Sequence, residues 1–455
     1  MRNGQKKEKK LSMLMPVTSK VNSRGHLVIG GCDTVELQQK YGTPVYVIDI
    51  ATIKKQCRSY KESFNFTDLE AEVIYASKAF AGIAICQLIG KEGLSLDVST
   101  GGELYIALKS GFPADRIFFH GNNKSKSEIE YSLENKVGCF IVDNFKELEY
   151  LNRLCKKYNL NQKIMLRITP GIKASTHEYI QTGMIESKFG FGLHHNGALS
   201  AVEKAAASSN LTLVGFHAHV GSQIFNLACY SKLVEVMFKF IRDVKNKLGL
   251  NISHINVGGG LGIKYIPEDE PPAIDDLSRV IYQAVKKNEK RYGIKLDKVY
   301  LEPGRSIVGN SGMTFYEVGV IKEIPGVKNY ISVDGGMSDN IRPMLYKAKY
   351  NACIANKMGN DGSAKDYKRL CKTYSIVGKH CESGDVLIPD IALPDVCVGD
   401  LIAIAATGAY CYSMASNYNG QPKSAVVAVE DGKSWVWIKR EEYKDLILGD
   451  RELYE

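Results

Sequence analysis

The feature that most constrains the fold of this sequence is a regular alternation of short apolar runs with longer stretches of helical character. Segments such as GGELYIALKSG place apolar residues three and four apart, as amphipathic helices do. Alternating strands and helices form a parallel sheet, so these units predict a closed (β/α)8 TIM barrel. Thr100 and Glu103 are predicted to form a capping box at one helix start. The runs are EVIYA (72–76), LDV (96–98), RIFF (116–119), CFIV (139–142), IMLRI (164–168), LVGFHAH (213–219), INV (255–257) and KVYLE (298–302).

The character of the sequence changes after residue 302. Strand-like segments follow one another without long helices, which predicts a second, mostly antiparallel β domain. HLVIGG and TPVYVID, near the start of the chain, are expected to join it. The predicted fold class is therefore α/β, with a barrel and a C-terminal β domain that takes in the N-terminal strands. We expect a tail over 1–11, the N-terminal strands over 12–49, the barrel over 50–308 and the β domain over 309–455.

Composition narrows the function classes. The 455 residues carry 59 Lys+Arg and 50 Asp+Glu, a net charge of +9. Five of those basic residues fall in the first ten positions, so the excess predicts a flexible tail rather than a nucleic-acid surface. Eleven scattered cysteines without a CxxC pair argue against a disulfide scaffold or a structural zinc site. No apolar window approaches a membrane span, and a cytoplasmic location is expected.

Chemistry in such a barrel gathers at the carboxyl ends of the strands. Gly258, Gly259 and Gly260 follow the seventh predicted strand, where a phosphate site is common. The spacing does not fit a dinucleotide motif, because Ile263 stands where the third glycine should be. A tight turn without a ligand is the alternative for this segment taken alone.

Lys78 follows the first strand and Glu302 ends the eighth. Together with a phosphate cradle, they suggest an imine between Lys78 and pyridoxal phosphate, with Glu302 beside the pyridine nitrogen. Taken singly, a solvated lysine and a salt bridge from Glu302 to Arg305 are ordinary alternatives. His217 and His219 could bind a metal with His120, or one imidazole could stack on the cofactor ring. The second option also accounts for Lys78, the glycines and Glu302.

At this point a set of motifs resembles the fold-type III, alanine racemase-like pyridoxal-phosphate decarboxylases, and among them the diaminopimelate decarboxylases. The matches run in order from about residue 42 to 420 and cover both predicted domains. They are YASKA, DVSTGGEL, ESKFGFG, HAHVGSQ, NVGGGLG, EPGRSIV, DGGMSDNIRPMLY, CESGD and GAYCYSMASNYN. The resemblance implies decarboxylation of meso-2,6-diaminopimelate to L-lysine and carbon dioxide, the last step of lysine biosynthesis.

The resemblance also implies roles for individual residues. Lys78 should hold the cofactor as an imine, His219 should stack on its ring, and Glu302 should pair with its nitrogen. Catalytic residues would be Lys78, Cys381, His219 and Glu302. The cofactor contacts would be Lys78, Asp97, His219, Ser222, Gly258, Gly259, Gly260, Glu302, Gly304, Arg305 and Tyr410, and the substrate contacts Arg305, Arg342, Tyr346, Glu382 and Tyr410.

Cys381 resembles a thiol that reaches the active site of a second subunit, where it is a candidate acid for reprotonating the carbanion. A homodimer with shared active sites is therefore expected. Lys379, His380, Gly336, Ser338 and Cys411 depart slightly from the family pattern. Two alternatives remain: a decarboxylase for ornithine, arginine or carboxynorspermidine on the same scaffold, or a non-catalytic relative that binds the cofactor. A metal-dependent barrel hydrolase is more distant.

Overall fold

The computed structural model describes residues 14–172, 187–358 and 371–453. The predicted tail over 1–11 and part of the ESKFGFG motif lie outside the described residues. Chain contacts divide the protein into two compact units. We call them the β unit, which comprises the described parts of 1–55, 263–269 and 307–455, and the barrel unit, which comprises those of 56–262 and 270–306.

The strands and helices are numbered in chain order. The strands are β1 (Lys20–Val21), β2 (Leu27–Ile29), β3 (Cys32–Asp33), β4 (Val45–Asp49), β5 (Glu70–Ala76), β6 (Ser95–Val98), β7 (Ile117–Phe119), β8 (Cys139–Val142), β9 (Gln162–Thr169), β10 (Phe191–Gly192), β11 (Leu211–His217), β12 (His254–Asn256), β13 (Lys298–Leu301), β14 (Gly312–Ile324), β15 (Lys328–Val333), β16 (Ala352–Ile354), β17 (Lys372–Val377), β18 (Val386–Leu393), β19 (Leu401–Ile404), β20 (Ala425–Glu430) and β21 (Lys433–Ile438). The helices are α1 (Thr34–Tyr41), α2 (Ile50–Ser63), α3 (Ile83–Lys91), α4 (Gly101–Lys109), α5 (Lys126–Glu134), α6 (Phe145–Tyr158), α7 (Gly197–Ala206), α8 (Ala228–Leu248), α9 (Ile274–Tyr292), α10 (Arg305–Val308) and α11 (Arg342–Tyr346).

The barrel unit is a closed ring of eight parallel strands, as predicted. β5 to β9 pair in succession, β11, β12 and β13 continue the ring, and β13 pairs with β5 to close it. Each of the eight apolar runs in the sequence corresponds to one of these strands. Apolar side chains fill the interior, because a ring of this size leaves room only for packed residues. They include Ile74, Phe118, Ile141, Met165 and Tyr300.

The surrounding helices follow the predicted periodicity. In α8 the buried residues include Leu233, Met237 and Ile241, which recur at four-residue spacing and face the core. The capping box at α4 is only half formed. The Thr100 side chain accepts from the Glu103 N–H, but the Glu103 carboxylate accepts from Ser99 at 2.6 Å instead of from Thr100. The carboxylate therefore fastens the end of the preceding strand to the helix.

The β unit is built around the long strand β14. Its main sheet has the order β18-β17-β15-β14-β4-β20-β21, with β19 paired to β14 and β16. Most pairs are antiparallel, and the β15–β17 and β4–β20 pairs are parallel. TPVYVID joins this sheet as β4, whereas HLVIGG forms β2 in a separate three-stranded sheet of the same unit. The predicted fold class is confirmed.

Candidate active site

The barrel unit gathers the predicted cofactor residues at the carboxyl ends of its strands. Lys78 lies on a 3₁₀ turn, Ser77–Ala79, directly after β5. Asp97 lies on β6, and His219 and Ser222 follow β11. Gly258 to Gly260 follow β12, and Glu302, Gly304 and Arg305 follow β13. One rim of the barrel therefore carries an amine, two carboxylates, an imidazole and a glycine-rich loop.

Glu302 is the best-anchored of these side chains. It is 8% exposed, and its Oε1 accepts a hydrogen bond of 2.7 Å from the Asn256 amide and lies 2.8 Å from His120 Nε2. Its Oε2 accepts from His217 Nε2 at 3.1 Å. Each carboxylate oxygen has two acceptor positions, so Oε2 keeps one for a further donor.

This arrangement keeps Glu302 ionised. Burial alone would raise its pKa, but His120 and His217 offset that effect, so the pKa of the carboxyl lies well below its usual value. Burial lowers the pKa of His217 to about 4, so its ring is neutral at neutral pH and donates from Nε2. The three groups lie close enough to bind a metal together. Their contacts are also explained without a metal, as a hydrogen bond from His217 and an ion-pair contact of His120 with one carboxylate. His219, the other histidine of the predicted pair, is not part of this group.

Lys78 and Asp97 are electrostatically coupled in the same rim. Asp97 is 1% exposed, and its Oδ1 has no hydrogen-bond partner among the described residues. Burial raises the pKa of Asp97 well above its usual value, and the positive charge of Lys78 opposes that shift. Lys78 as a residue is exposed at the rim.

The glycine loop after β12 is a cradle in which side chains do not fit. A Cβ on Gly259 would meet the Glu302 carbonyl oxygen at 2.0 Å, and a Cβ on Gly260 would meet that of Gly221 at 2.2 Å. Gly258 and Gly260 also have φ values of +69° and +110°, which disfavour other residues. The backbone of this loop can therefore approach an anion closely.

His219 packs against that loop in a defined protonation state. Its Nδ1 accepts a hydrogen bond of 3.3 Å from the Gly259 N–H. Burial and the charge of Lys78 lower the pKa of His219 well below its usual value, so the ring is neutral and its proton lies on Nε2. Nearby, Arg305 donates to the Ser222 hydroxyl at 2.9 Å, and both residues follow strand ends. The same barrel rim thus carries the glycine loop, the planar imidazole of His219 and the hydrogen-bonded pair Arg305 and Ser222.

The β unit gathers a second set of predicted residues around Arg342, the first residue of α11. Its guanidinium carbon lies 5.3 Å from the ring centroid of Tyr346, 5.7 Å from that of Tyr410 and 5.8 Å from that of Tyr265. Its Nε donates to the Tyr350 hydroxyl at 2.8 Å. Arg342 is 7% exposed, and no carboxylate forms an ion pair with it among the described residues. It is a buried cation in a cage of tyrosines.

Cys381 and Glu382 lie together on the turn between β17 and β18. Asp385 anchors this turn by accepting from the backbone N–H groups of Met337 at 2.6 Å and His380 at 2.9 Å. The Cys381 N–H donates to the side-chain oxygen of Asn419 at 3.1 Å, and Cys381 is an exposed residue. The structure therefore presents the thiol on an anchored turn.

Three residues of these clusters are not predicted by the sequence analysis. Asn256 lies in an apolar strand, and its polar side chain in INV is the signal that could identify it. Tyr350 and Tyr265 carry no motif of their own and reach Arg342 only through the fold. The sequence predicts His120 and His217 as possible metal ligands, and the structure places both beside Glu302.

Pyridoxal phosphate fits the residues of the barrel rim. The glycine cradle, with its close backbone approaches, suits a phosphate, and the exposed residue Lys78 supplies an amine. Oε2 of the ionised Glu302 has an acceptor position left for a ring N–H, and His219 offers a flat neutral face. The fold and this site together define a barrel enzyme dependent on pyridoxal phosphate.

Comparison with known proteins gives the family. Residues 50–309 match the family described as the pyridoxal binding domain of pyridoxal-dependent decarboxylases. A Bacillus subtilis (strain 168) protein named diaminopimelate decarboxylase is 49% identical over 438 residues, which cover 96% of this chain and 98% of that protein. One of the same name from Mycobacterium tuberculosis (strain H37Rv) is 39% identical over 432 residues, covering 93% of this chain and 94% of the relative. The chain belongs to the pyridoxal-dependent decarboxylases and, within them, to the diaminopimelate decarboxylases.

Solved structures support the same family assignment. Diaminopimelate decarboxylase from M. jannaschii, in complex with L-lysine, superposes with a TM-score of 0.89 at 35% identity, covering 96% of this chain and 99% of that one. The Helicobacter pylori enzyme complexed with L-lysine gives 0.79 at 34% identity, covering 91% and 98%. The prediction of a pyridoxal-phosphate-dependent decarboxylase is confirmed. No helix among the described ranges is long and apolar enough to cross a membrane.

Proposed function

We propose that this chain decarboxylates meso-2,6-diaminopimelate to L-lysine and carbon dioxide, the last step of lysine biosynthesis. The choice of substrate rests on the burial of Arg342 among tyrosines, without an ion-pair partner among the described residues. A buried cation without a counter-ion is costly, and the cost is recovered when a carboxylate binds. The guanidinium keeps its charge: burial would lower the pKa of Arg342, but the facing Tyr350 and Tyr265 raise it above its ordinary value.

The substrate supplies the missing anion. Diaminopimelate has a carboxylate at each end, and one remains in the product. Because the product is L-lysine, the carboxylate at the L centre is retained and the one at the D centre is lost. We assign the retained carboxylate to Arg342, where an arginine fork can form charge-assisted hydrogen bonds. Ornithine and arginine have no second carboxylate and would leave Arg342 unpaired.

The barrel residues would carry the chemistry. Lys78 would hold the cofactor, the loop at Gly259 and Ser222 would hold its phosphate, and Glu302 would accept a hydrogen bond from its ring nitrogen. When bound, pyridoxal phosphate supplies an electron-withdrawing ring that accepts the electron pair left by the departing carboxylate. Glu302 stays ionised through its contacts with His120 and His217, and His219 remains neutral beside the ring.

The remaining predicted contacts complete the proposal. Arg305, Tyr346 and Tyr410 would contact the substrate, and Glu382 would meet its distal ammonium. After carbon dioxide leaves, a proton must reach the α-carbon. We assign that proton to Cys381, whose exposed thiol would act in the site of a second copy of this chain, so that the working enzyme is a homodimer. We place the enzyme in the cytoplasm, in keeping with its eleven scattered cysteines.

Product analysis tests this function directly. The cofactor-loaded protein is mixed with meso-diaminopimelate, and L-lysine and carbon dioxide are measured, with Lys78→Ala as the control. We expect the two products in equal amounts from the native chain and none from the variant. Product only from ornithine, arginine or carboxynorspermidine would assign the chain to another substrate. Absence of product from all four compounds would favour a non-catalytic relative that binds the cofactor.

A further inference from the structure

Tyr350 is the one direct hydrogen-bond partner of the Arg342 guanidinium among the described residues. Arg342 Nε lies 2.8 Å from its hydroxyl oxygen. A guanidinium only donates, so the hydroxyl oxygen must accept, and its own proton must point elsewhere. The tyrosine is 4% exposed, and its ring packs edge-on against Tyr265 at a centroid distance of 5.2 Å. Its position is therefore fixed by packing as well as by hydrogen bonding.

Among the described residues, Cys411 is the one acceptor within reach of the Tyr350 hydroxyl proton. Cys411 Sγ lies 3.6 Å from the Tyr350 oxygen, and the same sulfur lies 3.7 Å from the carbonyl oxygen of Ala409. The carbonyl only accepts, so the thiol proton points to Ala409 and the sulfur accepts from Tyr350. The donors thus run in one direction, from Arg342 through Tyr350 and Cys411 to the backbone beside Tyr410.

Tyr350 and Cys411 meet in a buried environment. Cys411 is 1% exposed, and burial together with this thiol raises the pKa of Tyr350 well above its usual value. The hydroxyl therefore keeps its proton. Because Nε is the guanidinium nitrogen engaged, the outer two nitrogens remain for a ligand, in a plane set by Tyr350.

We infer that Tyr350 is a positioning residue for Arg342 and that it determines how tightly the enzyme binds ligands that carry the retained carboxylate, with Cys411 fixing its hydroxyl. The inference rests on the proposed function, in which Arg342 binds that carboxylate. It also assigns a role to Cys411, which would orient the Tyr350 hydroxyl and which departs from the family pattern.

The test compares two inhibitors that differ in a carboxylate. L-Lysine has the carboxylate that Arg342 would bind, and cadaverine is the same diamine without it. In Tyr350→Phe we expect the inhibition constant of L-lysine and the KM of meso-diaminopimelate to rise about tenfold, as loss of a hydrogen bond to a charged group allows. The constant for cadaverine, kcat and the cofactor absorbance should stay unchanged.

Tyr316→Phe is the matched control. Tyr316 is also buried in the β unit, but its hydroxyl has no hydrogen-bond partner among the described residues. Loss of this hydroxyl should therefore leave the inhibition constants of both L-lysine and cadaverine unchanged. A second pair tests the relay: Cys411→Ala should weaken L-lysine binding selectively, and Cys411→Ser, which keeps a donor and an acceptor, should not.

Two results would overturn the inference. They are equal changes for L-lysine and cadaverine in Tyr350→Phe, or no change for either. Failure of the native chain to form lysine would instead remove the proposed function, so the two failures are distinguishable. Should Tyr350→Phe not fold, the Cys411 pair decides the question with the same inhibitors.

Discussion

At the scale of single residues, the site depends on groups that never touch the reacting atoms. In the proposed function Glu302 would pair with a ring N–H and must be ionised for that role, yet it is buried, where a carboxylate is disfavoured. Asn256 at the end of β12, His217 at the end of β11 and His120 after β7 contact the carboxylate, and the two histidines offset that penalty. Their effect on the pKa of Glu302 can be measured.

Removing His217 should shift the acid limb of the pH profile. Without its Nε2 donor, His217→Phe should raise the depressed pKa of Glu302, so the ionised form is lost at a higher pH. The acid limb of kcat/KM should then move upward by about one pH unit. His254→Phe is the control, because His254 lies at the start of β12 and contacts Tyr300 rather than Glu302. An unshifted limb in His217→Phe would remove its assigned effect.

Arg342 gives a prediction about substrate binding. Arg342→Ala should lower kcat/KM for meso-diaminopimelate by about 100-fold, because a charge-assisted fork is lost. The cofactor absorbance should be retained. Arg342→Lys keeps the charge without the planar fork and should recover only part of the loss. Loss of the absorbance in the alanine variant would instead assign Arg342 to the cofactor.

At the scale of elements, one loop and one turn carry residues with proposed roles, the loop for the cofactor phosphate and the turn for the thiol of Cys381. The glycine loop after β12 packs its backbone directly against the segment after β13. The turn between β17 and β18 is held by Asp385, whose carboxylate also lies where a Cβ on Gly336 or Gly378 would go, at 2.6 and 2.1 Å. In both cases glycine permits a close approach that a side chain would block.

The cradle can be tested with one methyl group. Gly259→Ala places a Cβ against the carbonyl of Glu302, so the loop must shift and its backbone donors with it. We expect the dissociation constant for pyridoxal phosphate to rise at least about tenfold. Gly102→Ala, inside α4 with its nearest neighbour 3.8 Å away, is the matched control and should bind normally. Normal affinity in Gly259→Ala would show that the loop does not hold the cofactor.

At the scale of the whole molecule, the proposed homodimer makes a quantitative prediction. Lys78→Ala and Cys381→Ala proteins should each be nearly inactive. If each site takes Lys78 from one copy and Cys381 from the other, a mixed dimer contains one native site. An equal mixture after subunit exchange should then recover about a quarter of native activity.

Each variant taken alone through the same exchange is the control. No recovery on mixing would place both residues in one chain. Full activity of Cys381→Ala by itself would remove the thiol from the mechanism.

The barrel, the β domain and the family can all be predicted from the amino-acid sequence. Eight apolar runs separated by amphipathic segments fix a (β/α)8 ring because period and order are local properties of the chain. The motifs at strand ends marked Lys78, the glycine loop and Glu302, since one rim collects those ends. The predicted domain limits, homodimer and individual residue roles stay predictions.

Which side chains come into contact follows from the three-dimensional fold and not from local sequence. His217 and His219 are two residues apart, yet one contacts Glu302 and the other Gly259, because the strand ends between them. Tyr350 contacts Arg342, 8 residues away, and Cys411, 61 residues away, and no local pattern encodes the second contact. The sequence gives the chemical type of each side chain, but the ionisation and orientation of that side chain depend on the neighbours that the fold brings into contact with it.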